Sequence, residues 1–552
     1  MNVFGVRIPG VGLRCACTAA VVLATLLSAP GLAAETYYVR ADGGSASQCT
    51  GLSDAPYPGS GSAQDCAWSH PFVALPPGGS PRIHGGDTLI IGPGDYRMGI
   101  GAPETGTCQD WYSFDCHMPP VPSGPSPNQP TRILGQGHDS GCSAAPELWG
   151  SERAEMVINL HGSSNVELAC LDITDRGDCG EFHCSNGNCP GPVAACDRSS
   201  PPFGDWARQG ISARDSASVS LRDLDIHGLA NNGILAGRLT DWTLEGVSIR
   251  ANAWAGWDGG VGDDSSNSGT IEFRDSELSW NGCLEDHATG EPFGCWAQQA
   301  GGYGDGIGTY FTDGHWKFID SEVMHNTSDG IDLLYLEGNA QVTIRRTRVE
   351  GNAGNQIKVA RSARIENSVV VGNCGYFEDH PNMLEGDHCR ALGDSISIGL
   401  GGSIPTELVN NTITGQGNCL ISGGGSGSVT FANNLLLGKP YFLDPDTQTC
   451  GYYTSGNPDQ SWISNFVTDT RNNFCPGDSQ CGDSPQLLDE SLSSFDPEPV
   501  EHSPLLDSGH EGLAPPDDFF GLPRGVGNGP DVGAVEWGTE DEDRIFSSRF
   551  ES

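Results

Sequence analysis

Six segments of the chain repeat one short phrase, an apolar residue held in a Gly/Asp/Asn corner. They are Gln209-Gly210-Ile211, Asn232-Gly233-Ile234, Ala255-Gly256-Trp257, Asp305-Gly306-Ile307, Asp329-Gly330-Ile331 and Asn355-Gln356-Ile357. Weaker copies follow at Asp394-Ser395-Ile396 and Asn418-Cys419-Leu420. The apolar members are spaced by 23, 23, 50, 24, 26, 39 and 24 residues, so the 50 and the 39 read as one turn carrying an insertion. A fixed period in this range defines a solenoid, in which each unit buries its apolar face only by stacking on its neighbours. Residues one period apart then stand side by side, and aligned columns become predicted contacts.

Each repeat carries a strand-like phrase as well: Val219-Ser220-Leu221, Trp242-Thr243-Leu244, Ile271-Glu272-Phe273, Trp316-Lys317-Phe318 and Val342-Thr343-Ile344. Alternation of period two turns the apolar members inward. A second apolar position follows at Ile226, Ile249, Leu278, Val323, Val349 and Val370, and then an Asn column at Asn252, Asn281, Asn326, Asn352 and Asn373. Asn suits a tight corner, where its amide bonds the chain above and its backbone tolerates the left-handed region. Short strands, tight corners and three faces per turn predict an all-β, right-handed parallel β-helix, the hand following the general preference of parallel crossovers.

The N-terminus reads as a secretory signal: Arg7 and Arg14, an apolar stretch from Ala19 to Leu27, then small residues ending at Ala33-Ala34. That run is too short to span a membrane, and no integral membrane segment is expected elsewhere. Beyond the leader stand 18 of the 20 cysteines, an even number that favours disulfides in an exported chain. Twenty-eight basic against 71 acidic residues give a formal charge of −43, which argues against nucleic acid as a partner. Arg345, Arg346, Arg348, Lys358, Arg361 and Arg364 gather 6 of the 28 basic residues within twenty positions and predict one locally basic spot. The expected layout is a signal peptide over 1–34, a β-helix domain over 35–500, a closing segment over 501–538 and an acidic tail over 539–552. A monomer is expected, since a solenoid needs no partner to bury its faces.

Cys283 and Cys295 bracket the first insertion, Cys374 and Cys389 the second, and each pair is expected to close its own loop. Both loops leave the same corner on either side of intervening turns, so they predict two walls of a groove. Cys170, Cys179, Cys184, Cys189 and Cys196 crowd one Gly/Pro/Asn-rich segment; disulfides are favoured there over zinc, with His183 nearby.

Two columns of the corner phrase hold the chemistry. Before the apolar residue stand Asp305 and Asp329 in adjacent turns; after it stand Asp332 and, one turn above, Lys358. Adjacent turns lie about 4.7–4.9 Å apart, so stacked carboxylates repel unless a counter-ion joins them. Calcium, a hard cation that takes six to eight oxygens, would remove that cost. Asp258 falls two turns from Asp332, about 10 Å away, which argues against it as a fourth ligand. The plain alternative is that Asp makes corners as Asn does, and that Lys358 is paired with Asp332. A carboxylate–cation site beside a lysine suits β-elimination on a uronic acid polymer, where a weakly acidic proton beside a carboxylate must be removed. Arg361 could hold a sugar carboxylate bidentately from the same strand.

These phrases resemble those of a known group. Thr36-Tyr37-Tyr38-Val39 with Gly85-Gly86-Asp87-Thr88-Leu89-Ile90-Ile91 resembles the opening turn of the right-handed β-helix superfamily of polysaccharide lyases. Ser503 to Glu536 resembles the closing segment of bacterial surface β-helix proteins of the choice-of-anchor kind. Asp305-Gly306, then Asn326-Thr327-Ser328-Asp329-Gly330-Ile331-Asp332, then Gly354-Asn355-Gln356-Ile357-Lys358 are similar to the site phrases of calcium-dependent pectate lyases of polysaccharide lyase family 9. The resemblance implies calcium ligands at Asp305, Asp329 and Asp332 and a catalytic base at Lys358. Ser328 stands where that family has the first Asp of a pair, so one charged ligand is missing.

The expectation is therefore a secreted, calcium-dependent lyase that cleaves an acidic, uronic acid-containing polysaccharide by β-elimination, with pectate as the first choice of substrate. Rival readings are a β-helix glycoside hydrolase, an alginate or glycosaminoglycan lyase, and a non-catalytic surface or adhesion β-helix. The Gly-His-Gly phrase of polygalacturonases is missing here, and where alginate and chondroitin lyases of this fold have an Arg about one turn after the Lys, Ser397 follows Lys358.

Overall fold

The computed structural model describes residues 33–181, 195–262, 264–297, 303–378, 380, 383–386, 388–402 and 404–538. Most of the leader, the acidic tail, and Cys184, Cys189 and His183 lie outside the described residues.

The chain is a parallel β-helix. The first-face apolar column pairs rung by rung as Ile211, Ile234, Trp257, Ile307, Ile331, Ile357 and Ile396. The column ends differently from the expectation: Ile396 pairs with Ile421, not Leu420, so the last copy is shifted by one and Ser422 rather than Ile421 faces out. The second face stacks Val219, Trp242, Ile271, Trp316 and Val342, and the third stacks Ile226, Ile249, Leu278, Val323, Val349 and Val370. Thr36 to Val39 pairs with Thr88 to Ile91 as the first rung. One strand, Gln209–His227, runs along all three faces, turning at Asp215, Ser218 and Asp223, each with φ near +50 to +56°. Inside, Trp257 meets Trp242 and Trp316 edge to face, with ring centroids 5.9 and 6.1 Å apart, and Phe273 stacks on Phe318 at 5.0 Å. Large rings on adjacent rungs fill the solenoid core.

The Asn column is a hydrogen-bonded ladder, but two parts of the expectation change. Asn252, Asn281, Asn326 and Asn352 each donate to the side-chain oxygen of the next, and the last donates to Gln356 Oε1 at 2.8 Å. Asn373 is not its next member; its Oδ1 accepts from Gln416. The left-handed residue is the one before each Asn, at Ala251, Trp280, His325 and Gly351, with φ between 49 and 65°. The ladder also explains the glycine of the corner phrase. A Cβ on Gly330 would stand 2.7 Å from Asn352 Nδ2 and 2.6 Å from Gln356 O, so no side chain fits while the ladder runs past. Gln356 occupies that same column and, by reaching back, terminates the ladder. A second ladder, Asn411–Asn434–Asn465, holds the corner between the second and third faces.

Eight disulfides join described cysteines. Cys283–Cys295 and Cys374–Cys389 close the two insertions as expected, and Cys170 and Cys179 pair with Cys142 and Cys196. The insertions do not, however, stand as two separate walls. Cys295–Ala297 pairs in parallel with Met383–Gly386, so both loops fuse into one wall beside the corner. Beneath it Trp280, His325 and Tyr376 pack ring on ring. Two loop strands that would each expose an edge satisfy each other.

A buried ion network ties the first insertion to the third face. His227 bonds Glu285 through Nδ1 at 2.8 Å and Asp172 through Nε2 at 2.9 Å, while Arg250 bridges Glu285 and Asp225. Burial alone would lower the His227 pKa, but hydrogen bonds to Asp172 and Glu285, with the Asp225 charge, raise it to about 10. A raised histidine contributes stability that is full below its ordinary pKa and lost as pH climbs through about 10. Wild type is therefore expected to lose melting temperature between neutral pH and pH 10.5 more steeply than His227→Gln. Parallel slopes in a pH series of thermal melts would refute the pairing.

The predicted basic spot is dispersed. Arg345 and Arg346 pair with Asp517, Arg348 with Glu350, Arg364 with Glu366 and Glu407, and Lys358 with Asp329 and Asp332. Twenty residues make almost one full turn, so neighbours in sequence point to different faces. The closing segment packs Leu505, Val532, Ala534 and Val535 against Val369, Val371, Leu435 and Leu437.

Candidate active site

The first face carries the predicted residues on its outer side. Its outward column reads Asp258, Gly308, Asp332, Lys358, Ser397 and Ser422, which confirms Lys358 directly above Asp332 and Asp258 two rungs below it. Lys358 Nζ lies 2.8 Å from Asp332 Oδ2 and 3.1 Å from Asp329 Oδ2. Asp305 stands one rung below Asp329 and accepts the Asp329 N–H at 3.0 Å through Oδ1. Arg361 is placed apart from this group. It occupies the corner that ends the strand, with φ +60°, and its Nε donates to Leu336 O at 2.7 Å.

The corner column has a structural duty of its own. Asp329 Oδ1 accepts from Asn355 N at 2.7 Å, Asn355 Oδ1 from Asp394 N at 3.0 Å, and Asp394 Oδ1 from Cys419 N at 2.9 Å. One oxygen of each side chain thus caps the next rung, as the plain reading of corner Asp residues requires. That duty leaves the second oxygen of Asp329 and both roles of Asp332 unexplained. Asp332 is an outward strand residue whose Oδ1 takes the Leu334 N–H at 3.0 Å while Oδ2 holds the lysine.

Charge is unbalanced here. Burial, then the Asp329 and Asp332 charges, push the Asp305 carboxyl up, against Arg390 and Ser328. Burial, then Asp329, push Asp332 up as well, and Lys358 only partly offsets them. Burial by itself would lower the Lys358 pKa, but Asp329 and Asp332 outweigh it and hold the ammonium protonated. Two carboxylates grip one ammonium, and the third, Asp305, lies on the next rung within the influence of Arg390; all their donor atoms are hard oxygens, and in donor chemistry the set fits a divalent cation of the calcium type. As arranged around the ammonium, the three do not converge on one point. Among the described residues, the group whose ligand atoms all lie within 4.8 Å of one another is Asp115, His117 and Glu155, elsewhere in the chain.

Sequence reasoning missed two features. Arg390, buried beside the Cys374–Cys389 bridge, donates through Nη1 to Ser328 Oγ and draws the Asp305 carboxyl down. A guanidinium thus stands against Ser328, next to the Asp329 of the corner column. Its signal was the cysteine one residue before it, which fixes where the loop returns. The second feature is a cluster of exposed rings just past the strand ends: Phe311 packs on Tyr310 at 4.8 Å and on Tyr335 at 5.6 Å. The Asp332–Leu334 bond fastens the Tyr335 loop to the site.

A family model described as right handed beta helix region matches residues 209–379, and gives the solenoid its hand. No curated protein matches the chain. Similar solved structures include the crystal structure of pectate lyase Pel9A, at 14% identity over 92% of this chain and 97% of that one, with a TM-score of 0.43. An alginate lyase from Paenibacillus sp. str. FPU-7 is similar at 12% identity over 68% and 94%, with a TM-score of 0.35. A rhamnogalacturonan lyase is similar at 13% identity over 83% and 92%, with a TM-score of 0.33. Likeness at this level bears on neither substrate nor residue roles.

Proposed function

We propose that the protein is a secreted polysaccharide lyase that cleaves an acidic polysaccharide, with pectate as first choice, by calcium-assisted β-elimination. The observation that carries this reading is Lys358, an outward-facing lysine gripped by Asp329 and Asp332 with a third carboxylate, Asp305, on the next rung. Export is supported by the disulfides, which persist in oxidising compartments.

In the elimination a base removes the proton beside the sugar carboxylate, the glycosidic oxygen on the neighbouring carbon leaves with the bonding pair, and a double bond remains. Lys358 is the base in this reading, and Arg361, at the corner that ends the strand, receives the carboxylate of a neighbouring sugar. Asp305, Asp329 and Asp332 would hold calcium, which when bound supplies charge that neutralises carboxylates and polarises a sugar acid. A base must be neutral, and Lys358 can shed its proton only when Asp329 and Asp332 are otherwise satisfied. Its pairing therefore sets the protonation on which turnover depends.

Incubation with polygalacturonate should give unsaturated products absorbing in the ultraviolet with calcium and none with a chelator. Alginate and glycosaminoglycans belong in the same screen, and silence on every uronic polymer would end the lyase reading. A second reading has its own support in the side-chain-to-backbone caps of Asp305, Asp329 and Asp394. It makes the protein a non-catalytic surface β-helix, for which calcium would raise the melting temperature without turnover.

A further inference from the structure

A cavity of about 300 Å³ opens at the N-terminal end of the same corner, lined by Trp111, Phe114, Arg153, Glu181, Phe203 and Arg208. Arg208 immediately precedes Gln209, whose rung pairs upward through Asn232 and Ala255 toward the rung of Asp305. Three rungs separate them, about 14 Å at the usual strand spacing. The fused wall reaches it too, since His287 N–H in the first insertion donates to Asp178 Oδ1 at 2.8 Å, three residues before Glu181.

Its walls are of a kind that recognises an acidic sugar. Arg153 lies over the rings of Phe114 and Phe203, both at 5.9 Å, and Arg208 over Phe114 at 5.0 Å. Stacking fixes the guanidinium planes for bidentate contact with a carboxylate. Buried Glu181 pairs with both arginines and so ties the two guanidiniums to one carboxylate. Trp111 is 74% exposed at the mouth, where a ring face is available to the apolar face of a sugar. Ser113, itself only 2% exposed, also lines the cavity.

We propose that this cavity is a second saccharide subsite, which takes a carboxylate-bearing sugar of the polymer away from the point of cleavage. It rests on the lyase reading only in its choice of ligand. The test is calorimetric binding of oligogalacturonates to the full chain carrying Lys358→Ala, comparing the dimer with a much longer oligomer. Trp111→Ala and Arg153→Lys, added singly, should each weaken the long oligomer about tenfold, roughly the worth of one stacking or charge-assisted contact. The dimer, too short to reach both places, should show a single class of site. A carboxyl-reduced oligomer should bind the parent no better than Arg153→Lys binds the acidic one. Arg153→Lys keeps a charge opposite Glu181, and Trp111 is exposed, so both variants should fold, as circular dichroism would check. Unchanged affinity for the long oligomer in both folded variants overturns the subsite, as does a parent that binds no oligouronate. If no polymer is turned over but binding is present and lost in the variants, the subsite stands and the lyase reading falls.

Discussion

Replacing Lys358 by alanine should reduce turnover of the acidic polymer by about 10²–10⁴-fold, the usual worth of a positioned general base. The same change should also destabilise the protein. Lys358 Nζ supplies the positive charge 2.8 Å from Asp332 and 3.1 Å from Asp329, and its side chain is only 18% exposed. Removing one partner of a largely buried pair leaves uncompensated charge and costs on the order of 3 kcal/mol. The Asp332 carboxyl, already pushed up by burial and by the Asp329 charge, would rise further without the lysine that now draws it down. A carboxyl raised in the folded state binds protons more tightly there than when unfolded, so the sign is fixed: stability falls as pH rises through its titration. Melts of Lys358→Ala should therefore worsen from mildly acidic to neutral pH more than those of wild type. Added calcium should repair the melting temperature without restoring turnover.

Lys358→Arg separates the two roles. Arginine keeps the positive charge for Asp329 and Asp332 but does not deprotonate in proteins, so it should preserve most of the stability and none of the base function. An arginine variant with wild-type turnover would remove Lys358 from the chemistry and leave it a structural ion pair.

How much of this was legible beforehand follows from what a solenoid does to sequence. Pairing is local in repeat units, so the Ile column from 211 to 396 and the Lys358–Asp332 contact could be read by counting. Counting failed where the repeat lost a distinguishing residue: Leu420 and Ile421 are both buried aliphatics, and only the pairing with Ile396 decides between them. It failed again for anything that crosses rungs. The meeting of Cys295–Ala297 with Met383–Gly386 depends on how two loops fold back, which periodicity does not encode. Arg390 reaches Ser328 across 62 positions for the same reason. The left-handed corners were placed one residue late because Asn is a common left-handed residue. Here its side chain is needed for the ladder, and the backbone strain falls on Ala251, Trp280 and His325 instead.

Asn326→Ala should be among the most destabilising changes in the chain, about 4 kcal/mol, although it removes a small polar side chain. Asn326 is fully buried, and its amide serves three neighbours. Oδ1 accepts from Asn281 N at 3.1 Å and Asn281 Nδ2 at 2.9 Å, while Nδ2 donates to Leu278 O at 2.9 Å and Asn352 Oδ1 at 2.8 Å. Alanine leaves the Asn281 N–H buried with no acceptor and takes a donor from two oxygens. An orphaned buried group costs roughly 1–3 kcal/mol, and each further lost bond about 1 kcal/mol. In a solenoid the loss falls on both interfaces that the rung makes, so it should spread to the rungs carrying Asp305 and Asp329. Asn326→Asp makes the stricter test: a carboxylate still accepts from Asn281 but turns a second oxygen on Leu278 O and Asn352 Oδ1, so it should be no milder than alanine. Ser276→Ala supplies a milder contrast: Ser276 Oγ accepts from Val247 N at a longer 3.3 Å and donates to Arg274 O at 2.8 Å, two bonds against the four of Asn326, so the change should cost about 2 kcal/mol. Chemical denaturation that finds Asn326→Asp as stable as wild type would show the amides to be neighbours without being a ladder.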